Sequence, residues 1–97
     1  MFKLETVING KKVTLKKRLP VGDAHNLPDA LQKAAGGDYL DHIPAMTMLI
    51  ESWEFDGSPA DPEAYKALDI FDEMMPLEVF ANTYITDRMA AINGKKT

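Results

Sequence analysis

The dipeptide Asn9-Gly10 restricts the fold of this chain more than any other feature. Both central residues of a two-residue type I′ turn need positive φ, which Asn and Gly tolerate best, and the twist of that turn matches the twist of paired strands. Alternating residues flank the dipeptide, so FKLETVINGKKVTLKKRL predicts a β-hairpin over about residues 2–18. Phe2, Leu4, Thr6 and Ile8 fall on one face of its first strand, and Val13 and Leu15 continue an apolar face on the second. Lys3, Glu5, Lys12, Thr14 and Lys16 fall on the opposite face. One face should pack and the other meet water. The lysines also discourage unwanted edge-to-edge pairing.

The remainder of the chain reads as helices. Pro20 and Gly22 close the hairpin region, and Leu27, Ala30, Leu31 and Ala34 share a face of a helix expected over residues 27–35. Pro28 suits its first turn, and Gly36-Gly37 can end it. A second helix is expected over 41–52 with Asp41 as N-cap, because Pro44 is tolerated only near a helix start. Ile43, Met46, Ile50 and Trp53, with Leu49 alongside, give it a broad apolar stripe that should centre the core. Further helices are expected over 62–75, with an added turn capped by Asp69, and over 76–92 from Pro76. On the last one, Leu77, Phe80, Ala81, Tyr84, Ile85, Met89 and Ile92 recur at helical spacing. The predicted class is α+β, an N-terminal β-hairpin packed against three to four short helices in a single domain of residues 1–97.

The stretch ESWEFDGSPADPEAY is the one that most looks like a site, with Glu51, Glu54, Asp56, Asp61 and Glu63 around two prolines and a glycine. A calcium loop starting at Asp56 would continue through Ser58, but Ala60, Asp61 and Ala67 then occupy positions that need a ligand, a glycine and a bidentate glutamate. The residues fit a structural corner better: Gly57 and Pro59 turn the chain, and Asp61 or Ser58 accepts from a helix start. Trp53 and Phe55 alternate with Glu54, so both rings can be buried there. His25 and His42 match no zinc spacing, and capping or exposed roles are expected of them. Ser52 and Ser58, the only serines, lie in no nucleophile motif, so neither catalysis nor a cofactor nor a metal is expected.

With no cysteine in 97 residues, disulfides and thiolate chemistry are excluded. The longest apolar run, AMTMLI, is far short of a membrane span, and MFKLETVING has no signal-peptide core, so a soluble, untargeted protein is expected. The net charge of −4 is unevenly spread. Residues 38–78 hold eleven acids against the single Lys66, whereas residues 1–37 hold seven Lys/Arg against three acids. Head-to-tail self-association is one expected consequence, between Lys11, Lys12, Lys16, Lys17 and Arg18 and the acids from Asp56 to Glu73 on a different surface. The basic run GKKVTLKKR lacks aromatic stacking residues, so no nucleic-acid partner is expected, and no membrane partner either. Methionines on or beside the helices suit an adaptable protein-binding surface. The residues expected to meet a partner are Lys16, Lys17, Arg18, Met74, Met75 and Phe80.

In its order of elements the chain resembles small tail assembly chaperones of tailed bacteriophages and prophages. The likeness is carried by VTLKKRLPVGDA, by the helix pair split at AAGGDY, and above all by LIESWEFDGSPADPEAYKALD, spanning roughly residues 12–85. The resemblance implies a non-enzymatic protein of tail morphogenesis in the host cytoplasm, acting on tape-measure or tail-tube proteins. The alternative is a structural virion subunit, such as a neck, connector or tail-ring component.

Overall fold

A computed structural model of the chain describes residues 3–95, so Phe2 of the predicted strand lies outside the described residues. The hairpin forms as its turn dictates. Strands β1 (Glu5–Ile8) and β2 (Lys11–Leu15) pair antiparallel with Ile8 opposite Lys11 and Thr6 opposite Val13. Asn9 and Gly10 have φ of 51° and 76°, the left-handed values that a primed turn requires. Ile8, Val13 and Leu15 are buried and Leu4 packs against them, while Lys3, Glu5 and Lys12 are exposed.

Helix α1 (Val21–Ala24) is a single turn, and α2 (Leu27–Ala35) follows with Pro28 in its first turn and Ala30 and Ala34 buried. Helix α3 (Tyr39–Leu49) starts earlier than expected because Asp38, not Asp41, caps it. The Asp38 carboxylate accepts from the Leu40 N–H at 2.9 Å, and Asp41 accepts from the Asp38 N–H at 3.2 Å. Asp41 is thus the returning half of a capping box. Pro44 then lies in the second turn, where the N–H it lacks would have met the carbonyl of Leu40, an exposed residue.

The larger departure follows. The chain leaves α3 at Ile50 rather than continuing to residue 52, and forms β3 (Ile50–Trp53) on the free edge of β2. The result is a three-stranded antiparallel sheet of order β1-β2-β3. Val13 faces Trp53 and Leu15 faces Ile50, with a register shift that leaves Glu51 as the extra residue. In a regular strand, residues three apart point to opposite faces; the bulge returns Ile50 and Trp53 to the same face. That is why an apolar spacing that also suits a helix can serve a strand.

The helix expected over 62–75 is divided. Helix α4 (Pro62–Lys66) ends at Ala67, Asp69 caps a π-helical turn (Ile70–Met74), and that turn runs directly into α5 (Met75–Lys95), so the last helix is entered before Pro76. Leu77, Ala81 and Tyr84 of α5 are buried, whereas Met89 and Ile92 near its end are about half exposed. Leu15, Leu49, Ile50, Leu77 and Val13 form the driest part of the core, where β2, α3, β3 and α5 meet. The architecture is α+β.

Candidate partner-binding surface

The hairpin phase that turns Thr6 and Ile8 toward the core sends Val7 outward on the edge strand β1, 68% exposed. Beyond β1 lies the π-helical turn. Asp69 accepts from the N–H groups of Phe71 and Asp72 at 3.1 and 2.8 Å, and the resulting turn buries Met74 while leaving Phe71 71% exposed. Asn9 in the hairpin turn donates to Glu73 at 3.0 Å and ties the two segments together. Between them and the first turns of α5 runs a groove of about 520 Å³. Val7, Phe71, Met75 and Val79 line it, with Phe80 at its floor and Lys3 and Thr83 also along it. Exposed apolar surface costs about 25 cal/mol per Å² relative to burial, so a shared apolar lining of this kind marks a surface suited to a partner.

The residues singled out from sequence divide between several places. Met75 and Phe80 line the groove, but Met74 is 4% exposed and belongs to the core, which corrects its expected contact with a partner. Its neighbours in the π turn face outward instead. Lys16, Lys17 and Arg18 are not brought to the groove: the Lys16 carbonyl accepts from Tyr84 Oη at 2.9 Å and the Lys17 carbonyl from Arg88 Nη1 at 3.1 Å, on later turns of α5. Val7 and Phe71 were missed. The available signal was Val7, an apolar residue at an outward position of an alternating strand whose neighbours there are Lys3 and Glu5.

The acidic stretch is a corner. Gly57 adopts φ of 80°, Trp53 Nε1 donates to its carbonyl at 2.9 Å, and Tyr65 Oη donates to the Pro59 carbonyl at 2.6 Å. Asp61 caps α4 by accepting from the Glu63 N–H at 3.0 Å. Trp53 lies 4.7 Å from the Tyr65 ring and edge-on to Phe55 at 5.4 Å, between ring centroids. Burial pushes the Tyr65 phenol above the ordinary tyrosine range, so it stays protonated and able to donate. Among the described residues, no three His, Asp or Glu side chains gather as they would around an ion.

Two other expectations change. His42 is neither a cap nor an exposed residue: its Nε2 lies 3.8 Å from Glu78 Oε1, both side chains being about one-fifth exposed, beside a cavity of about 490 Å³ between α2, α3 and α5. The basic hairpin is also not set apart from the acidic segment. Lys11 shares a small cleft with Asp56 and Glu73, the Lys12 N–H donates to Glu54, and the Lys12 ammonium pairs with Glu5 at 3.0 Å. Charges that are separate in the chain are therefore partly matched within one copy. No helix among the described residues is long and apolar enough to cross a membrane. Comparisons with protein families, with curated proteins and with solved structures find no match to this chain.

Proposed function

We propose that this chain is a non-enzymatic partner-binding protein of phage tail morphogenesis, an assembly chaperone or adaptor that holds a tape-measure or tail-tube protein in the groove beside β1. The observation that carries the binding part of this reading is that groove, where Val7, Phe71, Met75 and Val79 are between 37% and 71% exposed. Its phage setting rests on the likeness carried by LIESWEFDGSPADPEAYKALD. A small apolar groove suits a chaperone because the contact is limited and reversible: it covers sticky surface on an unassembled partner and releases it when a larger interface forms.

The test is capture of tape-measure and tail-tube proteins from infected cells by the tagged chain, beside mass spectrometry of purified virions. Capture by the native chain, its loss in Phe71→Ser, and absence from virions support the proposal. Stoichiometric presence in particles would replace it with the structural-subunit reading. Undiminished capture by Phe71→Ser would move the binding surface away from the groove.

A further inference from the structure

The groove beside β1 offers more than apolar side chains. Leu15 donates its N–H to the Leu4 carbonyl at 2.7 Å, which sets the phase of the β1–β2 ladder: Leu4, Thr6 and Ile8 turn their backbone groups toward β2. Glu5 and Val7 turn theirs the other way, and among the described residues no backbone hydrogen bond reaches them. The opposite edge of the sheet differs, since β3 carries a bulge at Glu51, a feature that blunts an edge, whereas β1 is regular.

Resting on the groove assigned above, we propose that its occupant is a short extended segment of the partner, added to β1 as a fourth strand, apolar toward α5 and acidic where it meets Lys3. The extended form follows from the unpaired N–H and C=O groups of Glu5 and Val7, which a helix cannot satisfy because its own backbone groups are already bonded internally. The apolar side follows from Phe71, Met75 and Val79, which face the space such a strand would enter. The acid follows from charge. Glu5 is matched by Lys12 at 3.0 Å, whereas Lys3, on the groove, makes no ion pair among the described residues.

A second copy of this chain fits this edge less well. Antiparallel pairing of β1 with itself about its outward residues sets the two Glu5 carboxylates opposite each other. A shift one way sets each Glu5 against a Val7, and a shift the other way pairs Lys3 with Glu5 but leaves Val7 opposite no residue of β1.

The experiment uses the full chain and a fluorescein-labelled octapeptide, GIVVTVDG, which alternates as the proposed strand should and places its acid opposite Lys3 in antiparallel register. Anisotropy should show saturable binding, weakened about tenfold or more by Val7→Pro and much less by Val7→Thr, which trims the apolar lining but keeps the backbone donor, a tenfold loss being about 1.4 kcal/mol. Proline at an edge position whose N–H faces solvent removes that donor and leaves the β1–β2 ladder intact. Lys3→Glu should reverse the preference between GIVVTVDG and GIVVTVKG. In the unmodified chain, hydrogen exchange of the Glu5 and Val7 amides should slow when the peptide binds, a readout that needs no variant to fold. Unchanged exchange at both amides under saturation, or equal binding by Val7→Pro, would overturn strand addition. If Phe71→Ser abolishes capture of tail proteins while Val7→Pro does not, the groove stands as the partner site and only strand addition fails. A dimer that Val7→Pro dissolves would overturn the proposal by assigning the edge to a second copy.

Discussion

Gly57→Ala should destabilise the protein through two separable effects. At φ of 80°, an L-residue pays roughly 1–2 kcal/mol for the left-handed conformation, offset by about 0.4–1 kcal/mol because alanine restricts the unfolded chain. A Cβ at this position would also lie 2.8 Å from the Cβ of Ala64 on α4. That atom is fixed to the helix backbone and cannot swing aside, so relief requires moving α4 against the corner, an overpacking cost of about 1–3 kcal/mol. The expected total is about 2–4 kcal/mol. Ala64→Gly alone should cost about 1 kcal/mol from helix propensity. The double variant should then be more stable than the sum of the single losses predicts, by about 1–3 kcal/mol, because the steric term is gone while the backbone term remains. Urea unfolding measures this directly. Trp53 is the only tryptophan and donates to the Gly57 carbonyl, so its fluorescence reports on the corner while circular dichroism reports on the helices. Additivity of the two substitutions would refute the close contact with Ala64. A Gly57→Ala variant as stable as the parent would refute the left-handed corner itself.

Trp53→Ala removes a half-buried ring that meets both Tyr65 and Phe55, and should cost about 2–4 kcal/mol; an unchanged melting temperature by circular dichroism would reject its anchoring role. Asp69→Ala leaves the N–H groups of Phe71 and Asp72 without their acceptor and should cost about 1–2 kcal/mol, with Asp69→Asn recovering most of the loss in urea unfolding. Tyr65, whose folded-state pKa burial raises, favours its protonated form in the native state, so its contribution is fully present below the unfolded-state value of about 10 and is lost as pH rises above it. Urea midpoints taken upward from about pH 9 should therefore fall with pH in the parent and fall less in Tyr65→Phe, while an identical decline in both would refute the burial of that phenol.

The hairpin was legible in the sequence because its causes are local. Asn9 and Gly10 accept positive φ, and the two-residue period on either side leaves one way to divide the strands into a wet and a dry face. The α2 span, the Asp61 and Asp69 caps and the α+β class were readable for the same reason: each depends on neighbours a few residues away. Where the sequence misled, two local solutions were nearly equivalent. Ile50 and Trp53 extend the stripe of α3 as well as they fit a bulged strand, and what selects the strand is the free edge of β2, whose Leu15 and Val13 lie nearly forty residues away in the chain. The phase of the π-helical turn is another such case. Met74 and Phe71 both suit an apolar face, and only the packing of that turn onto the core sends the first inward and the second out. Periodicity tells which residues share a face. Which faces meet depends on contacts such as Asn9 with Glu73, 64 residues apart, whose loop-closure cost no local sequence preference offsets. The groove beside β1 is therefore a property of the tertiary structure: its two walls come from the two ends of the chain, and each wall alone reads as an ordinary strand or helix.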